Sequence, residues 1–361
     1  MTAVLRELVC AGSLLCAACG HATDGAGAHA EPIIYGPDDR LDVYEHPDPT
    51  LRELARSSVL ALLPPENISA RGAISAPSAA SLGLCPGERF ATQPVAATCS
   101  GVLIARDLVL TAAHCVDREI CDGTAYVFGY YYDAPNTLAG LSEDSIYRCR
   151  SILVREHGTR RDSRRLDVAI VQLDRPVVGA RQPLVASERV LHAGEPLTTI
   201  GFPLGLPAKI DSNARVLDAL EGRPDAFALS TDAFEGSSGS AVLDAEQRLV
   251  GVLAGGGTDF VPSGEGCAVA RIVPEEAVPT AWERATYARQ AIDELCASGD
   301  TEPAVCAVRA DCALVPAAGL RGLPRLLFVF IAGLIALARR RRSPRAHEPP
   351  GFPKLGIEPG Q

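Results

Sequence analysis

Three side chains of complementary chemistry fall in order along the chain. His114 ends Thr111-Ala-Ala-His114 and is followed by Cys115, Asp167 opens the run Asp167-Val-Ala-Ile-Val-Gln-Leu173, and Ser238 sits in Gly236-Ser237-Ser238-Gly239-Ser240. A serine hydroxyl is a poor nucleophile at neutral pH unless a base takes its proton. Imidazole suits that task because it titrates near the operating pH. A carboxylate on the other ring nitrogen fixes the tautomer and stabilises the charged ring. Glycines on both sides of the serine let the backbone turn sharply, so that two amides can face a developing oxyanion. Taken singly, each segment has a plain reading: a structural histidine, a turn aspartate, a flexible Gly-Ser linker. Together, in the order His, Asp, Ser, they describe nucleophilic acyl transfer.

Residues so far apart need a scaffold to bring them together. Between roughly 95 and 275 the chain shows short apolar runs broken by Gly, Pro, Asp and Asn. Val102–Ile104, Leu108–Thr111, Val168–Leu173, Leu197–Ile200, Ala241–Leu243 and Leu249–Leu253 are such runs. Their length and turn-residue borders predict strands, and their number predicts a barrel or sandwich. No internal repeat and no βαβ alternation occurs. Residues 67–83, poor in large apolar side chains, read as a loop or insertion. One helix is expected from Ala281 to about Cys296: Thr280 and Glu283 form a capping box, and Ala281, Ala285, Ala288, Ile292 and Leu295 recur at helical spacing.

Composition narrows the class. The chain of 361 residues has 47% apolar residues, enough for a substantial core. Its formal net charge of −10 disfavours a nucleic-acid partner. Abundant Gly and Pro, 33 and 27 residues, fit a turn-rich β protein. Twelve cysteines point to an oxidising compartment, and no zinc-type Cys or His spacing is present, so no metal or other cofactor is expected.

Both ends read as addresses. Residues 1–19 form an export signal around the apolar run 8–18, with Cys19 in a context similar to a lipoprotein cleavage site. A spacer at 20–32 follows. Near the other end, a linker at 297–325 leads to a hydrophobic segment at 326–342, whose run Leu326–Ala338 meets Arg339, Arg340, Arg341 and Arg342 at once. A full membrane helix needs about 20 apolar residues. The arginines should stay on the cytoplasmic side, leaving the rest outside. A disordered tail is expected at 343–361. The arrangement resembles the C-terminal sorting tails of some Gram-negative, especially myxobacterial, surface proteins.

Thr111–Cys115 resembles the histidine motif of trypsin/chymotrypsin-like serine proteases, with Cys99 where that family places the partner of the half-cystine at Cys115. Asp167–Leu173 resembles the aspartate strand. Gly236-x-Ser238-Gly-Ser resembles the nucleophile loop of the bacterial V8-like (glutamyl endopeptidase-like) branch, and Ile33–Arg40 its mature N-terminus. The resemblance spans 33–296, with an insertion near 67–98. It implies an all-β fold of two six-stranded antiparallel β-barrels with a C-terminal helix packed back on the first, and a site in the cleft between the barrels. It further implies His114, Asp167 and Ser238 as a catalytic triad, Gly236 and Ser238 amides as the oxyanion hole, a Cys99–Cys115 disulfide, and protein or peptide substrates. The chain is then an exported serine endopeptidase, monomeric, touching a membrane only through its C-terminal segment.

Departures from the pattern matter. Ser237 stands where animal trypsins carry the aspartate that receives a new N-terminal amine, so that activation route is absent. Asp232, six residues before Ser238, occupies the position that binds a basic substrate residue in trypsin-like enzymes. Leu253 occupies the position where the glutamate-specific enzymes carry a histidine. Gly255 and Gly256 leave the pocket wall open to an extended substrate. Basic, glutamate and apolar specificities all stay open at this point. Removing Cys10, Cys16 and Cys19 with the signal leaves nine cysteines. With Cys312 set aside, Cys121–Cys149, Cys85–Cys267 and Cys296–Cys306 would complete the pairing. Arg155, Arg160, Arg161, Arg164 and Arg165 read as a solvated loop, and His157 as a surface residue. The alternatives are a non-catalytic binding module and a serine esterase on the same fold.

Overall fold

The run Val59–Leu63 is buried at every position, which suits a strand covered on both faces. The computed structural model describes residues 34–159, 165–219, 225–256, 259–264, 266–273, 283–299 and 305–306. The expected signal, spacer, linker, apolar C-terminal segment and tail lie outside these residues, apart from 297–299 and 305–306 of the linker. Among the described residues no helix is long and apolar enough to cross a membrane.

In chain order the elements begin with β1 (Ile34–Tyr35), β2 (Leu41–Asp42), α1 (Pro49–Ser57), β3 (Val59–Leu63), β4 (Cys99–Ala105) and β5 (Leu108–Thr111). There follow α2 (Arg118–Gly123), β6 (Ala125–Val127), β7 (Tyr132–Ala134), β8 (Thr137–Leu138), β9 (Ile146–Thr159) and β10 (Arg165–Leu173). The second half holds β11 (Pro196–Gly201), β12 (Lys209–Asp218), β13 (Ala226–Ser230), β14 (Ala241–Leu243), β15 (Leu249–Gly255) and β16 (Phe260–Pro262). It ends with β17 (Ala268–Ala270), β18 (Ile272–Val273), β19 (Glu283–Tyr287) and α3 (Ala288–Ser298).

Two closed six-stranded antiparallel barrels result. The first runs β10-β5-β4-β3-β6-β9 and closes through β9 and β10, which pair from Arg165↔Thr159 to Leu173↔Cys149. The second runs β11-β14-β15-β19-β13-β12 and closes where β12 returns to β11, with β2 added along β12. Closure removes the exposed sheet edges that invite aggregation. Leu60, Leu62, Leu103, Val109, Tyr126, Tyr147 and Val171 fill one core cluster of the first barrel, and Phe227, Leu229, Val242, Val250 and Tyr287 fill one of the second.

The expected helix from Ala281 is corrected. Glu283–Tyr287 is a strand, paired with β13 through Phe227↔Ala285 and with β15 through Leu253↔Ala285. The Ala285, Ala288, Ile292, Leu295 spacing is helical from Ala288 onward, but 283–287 lies between two strands that each need a ladder partner, and pairing outweighs local propensity. Tyr287 is the N-cap of α3, extended and without a side-chain cap. The Thr280 end of the expected capping box lies outside the described residues. Ala288, Ala291, Ile292 and Leu295 bury against Val154, Val168 and Ile170, so α3 packs on β9 and β10 of the first barrel and also touches β15 and β19.

Helix α1 was not anticipated, although its signal is local: Asp48 caps it by accepting from Thr50 N at 2.7 Å, with Pro49 in its first turn. Among the described residues, four disulfides join Cys85–Cys267, Cys99–Cys115, Cys121–Cys149 and Cys296–Cys306.

Candidate active site

His114 lies in a single 3-10 turn, Ala113–Cys115, directly after β5. Asp167 lies near the start of β10, the strand that pairs with β5. That neighbouring pairing brings the two residues together. Asp167 Oδ2 lies 2.8 Å from His114 Nδ1, and Asp167 Oδ1 accepts from the His114 backbone N–H at 3.0 Å. One carboxylate thus fixes both the ring and the backbone that carries it. Burial alone would raise Asp167, but the hydrogen bonds and charge of His114, helped by His157, outweigh it and hold the carboxyl below the usual range.

One of two neighbours of this pair was misread from sequence. Arg155 is not a loop residue: it lies on β9, and its Nε donates to Ala113 O and Val116 O at 3.1 and 2.6 Å, gripping both ends of the His114 turn. His157, also on β9 and exposed, faces Asp167 in register, with its ring centroid 6.5 Å from that of His114. Arg160, Arg161 and Arg164 lie outside the described residues, as does the Arg165 side chain.

Ser238 sits in the loop between β13 and β14. Its carbonyl accepts from Ser100 N at 2.8 Å and lies 3.7 Å from Cys115 Sγ, beside His114. The Cys99–Cys115 disulfide therefore sits between the histidine turn and the serine loop. Ser238 is half-exposed, and neither its Oγ nor its amide hydrogen-bonds to another described group. Catalytic hydrogen bonds commonly tighten only when substrate binds.

The loop's shape depends on two glycines in left-handed conformations, Gly236 at φ 92° and Gly239 at φ 86°. A Cβ at Gly236 would fall 2.7 Å from Gly205 N, and one at Gly239 would overlap Ser100 O and Thr111 Oγ1. Only glycine fits either the dihedral or the space. Ser237, in the place of the trypsin aspartate, has its Oγ accepting from Phe234 N at 3.2 Å, an internal tie for the loop. Beneath the loop, Leu204 adopts φ 57° and donates its N–H to Glu235 O at 2.6 Å. A left-handed leucine is strained, so the surrounding packing must hold it there.

Sequence reasoning missed the hub of the site. Ser100, fully buried on β4, donates Oγ to Gly236 O at 3.0 Å and accepts from Phe202 N at 3.1 Å and from Ser240 Oγ at 3.2 Å. It ties the first barrel to the Ser238 loop of the second. Its only sequence signal was its place beside Cys99.

A cavity of about 470 Å³ opens beside Ser238, lined by Ala233, Phe234, Glu235, Ser237, Leu253, Gly255, Gly256, Asp259, Phe260 and Glu283. Leu253, Gly255 and Gly256 thus line the cavity beside Ser238. Asp232 does not. Its Oδ1 accepts from Tyr35 N at 2.9 Å and its Oδ2 from Asp39 N at 2.8 Å, in a different cavity with Asp211. The N-terminal segment takes up both carboxylate oxygens, which corrects the expectation that Asp232 receives a substrate cation. Burial first, then the adjacent Asp211 carboxylate, push Asp232 up from the usual carboxylate range.

Cys99, His114 and Cys115 form the one cluster of potential metal donors among the described residues. Both sulfurs are consumed by their mutual disulfide, so the cluster lacks free thiolates to hold an ion.

Residues 99–252 match the family model described as a trypsin-like peptidase domain. That span contains His114, Asp167, Gly236 and Ser238. No curated protein matches the chain. Among solved structures, one described as a Glu endopeptidase in complex with MPD aligns at 15% identity and a TM-score of 0.44, over 74% of this chain and 100% of that one.

Proposed function

We propose that the chain is an exported serine endopeptidase whose triad is His114, Asp167 and Ser238. The carrying observation is the two-point hold of Asp167 on His114, 2.8 Å to the ring and 3.0 Å to the backbone amide. That hold leaves His114 Nε2 as the ring's proton acceptor, the tautomer a general base requires. The match of residues 99–252 to a trypsin-like peptidase domain supports the same reading.

In this mechanism Ser238 Oγ attacks the substrate carbonyl carbon while His114 Nε2 takes the hydroxyl proton. The amides of Gly236 and Ser238 receive the oxyanion. The imidazolium then protonates the leaving amine as the C–N bond breaks, giving an acyl-enzyme. Water, deprotonated by His114, attacks the ester, and the returning proton restores Ser238. Four disulfides support an oxidising, extracellular setting.

The test is purified Ser238→Ala against an unstructured protein substrate. Loss of cleavage, together with loss of labelling by a fluorophosphonate, is expected. Proteolysis that survives the substitution would exclude Ser238 as nucleophile.

A further inference from the structure

The strand pair that carries Asp167 also presents a second imidazole to the proposed base. His157 on β9 stands directly opposite Asp167 on β10, so the two side chains rise from the same face of the pair. The ring centroids of His157 and His114 are 6.5 Å apart. Both histidines are exposed, whereas Asp167 is buried. We propose that His157 is a positioning residue for the base: its positive charge opposes protonation of His114 and so carries activity to lower pH. The inference rests on the reading of His114 as the base that activates Ser238.

The base works only while its Nε2 carries no proton. Asp167, 2.8 Å from His114 Nδ1, favours the protonated ring. A cation at position 157 acts against that preference twice. It repels the His114 charge across 6.5 Å, and it draws on the same buried carboxylate. Unit charges at that distance in water-like surroundings repel by about half a pH unit. The exposure of both rings makes the water-like value the appropriate one. An imidazole gains its charge over the pH range in which such a base loses activity. Burial works to raise Asp167, but the hydrogen bonds and charge of His114, then the charge of His157, hold it low. The carboxylate therefore stays charged while the two rings compete for it.

Other charged groups surround His157. Arg155 shares its face of β9 and binds carbonyls at both ends of the His114 turn. Glu156 lies on the opposite face, opposite Val168 in register. Helix α3 packs on that opposite face through Val154, Val168 and Ile170, and carries Arg289, Asp293 and Glu294. Helix α2 also packs on β9 and carries Arg118, Glu119 and Asp122, with Asp117 as its cap. The Arg165 side chain lies outside the described residues, as do Arg160, Arg161, Asp162 and Arg164. All of these groups stay in place when only position 157 changes, so a charge series there isolates its own contribution.

The experiment compares wild type with His157→Lys, His157→Gln and His157→Glu at about 10 mM salt, where screening is weak. The readout is the second-order rate of Ser238 labelling by a fluorophosphonate as a function of pH, which requires no preferred peptide. The acid midpoint of that rate reports protonation of the base. The midpoint is expected to rise from Lys through Gln to Glu, spanning about one pH unit, with wild type between Lys and Gln. The span should shrink at about 1 M salt. A merely structural role would not sort the midpoints by charge. Circular dichroism identifies any variant that unfolds in acid, and the remaining members decide the order. Coincident midpoints, an order that ignores charge, a span that survives salt, or wild type at or above the Gln midpoint overturns the inference and leaves the serine mechanism standing. Wild-type protein that labels without an acid midpoint, or that neither labels at Ser238 nor cleaves protein, overturns the reading on which the inference rests.

Discussion

Ser100→Ala removes one oxygen from the boundary between the barrels. The Ser100 Oγ donates to Gly236 O and accepts from Phe202 N, at 3.0 and 3.1 Å, and all three residues are buried. Alanine leaves one buried acceptor and one buried donor without that partner. Each orphaned group costs about 1–3 kcal/mol, and neighbours in one network do not add fully, so the expected loss is about 2–5 kcal/mol. Denaturant unfolding monitored by fluorescence reads this as a lower midpoint at unchanged slope. A kinetic effect follows from the same geometry. Gly236 carries one proposed oxyanion amide, and its carbonyl is the group that Ser100 holds. A misplacement of about 1 Å at a reacting centre can cost about 100-fold in rate. Titrated Ser100→Ala should therefore lose kcat more than it raises KM. A variant within about 0.5 kcal/mol of wild type, the range of an ordinary surface substitution, with unchanged kcat would refute the assignment of Ser100 as the tie between barrel and loop.

Asp167→Asn should keep the fold but lose about 10⁴ in kcat, about 5.4 kcal/mol, because an amide cannot accept from both His114 Nδ1 and His114 N; kcat on titrated enzyme is the measurement, and near wild-type turnover would contradict it. Asp259 is pushed up to about 6, by burial first and then by the Glu235 charge, against the Glu235 amide and Arg40. Its carboxyl is therefore neutral below that pH, and because the group's ordinary value is 3.8, stability in urea unfolding should fall as pH rises from about 4 to about 6. Asp259→Asn should flatten that dependence. Lys209→Met removes a buried Nζ that donates to Asp42 Oδ1, Gln93 Oε1 and Pro207 O at 2.7, 2.8 and 2.7 Å. Leaving Asp42 buried and unpaired should cost about 3–5 kcal/mol in urea unfolding, and a loss below 1 kcal/mol would show that water reaches the carboxylate.

Six strands of the two barrels, β4, β5, β10, β11, β14 and β15, were legible because each contains a short apolar run bounded by turn residues, a signal local to a few positions. The Cys99–Cys115 disulfide was expected from the family resemblance, and Cys121–Cys149, Cys85–Cys267 and Cys296–Cys306 only as the pairs that complete an even set. What failed was information carried by partners distant in sequence. Glu283–Tyr287 has helical spacing, yet β13 and β15 on either side claim its backbone. Asp232 has the sequence offset of a substrate-binding acid, yet the amides of Tyr35 and Asp39, nearly 200 residues away, occupy it. Arg155 belongs to an arginine-rich stretch, yet its guanidinium finds two carbonyls of the His114 turn across the sheet. Ser100 is one small polar residue among many, and nothing local distinguishes a serine that bridges two barrels from one that faces solvent.

These cases share a physical origin that bears on how the site works. His114 and Asp167 are held entirely by the first barrel, through the pairing of β5 with β10. Ser238 and the acidic cavity belong to the second barrel, through the β13–β14 loop and β15. The proposed base and the proposed nucleophile are therefore linked by contacts across the boundary: Ser100 N to Ser238 O at 2.8 Å, Ser100 Oγ to Gly236 O, and Cys115 Sγ against the Ser238 carbonyl. Each involves β4 or the disulfide that begins on it. Packing inside either barrel can vary without changing that alignment, whereas a shift of β4 moves the serine relative to the histidine. The residues at 99–101 are consequently under tighter geometric constraint than most of the core, although none of them takes part in the proposed chemistry.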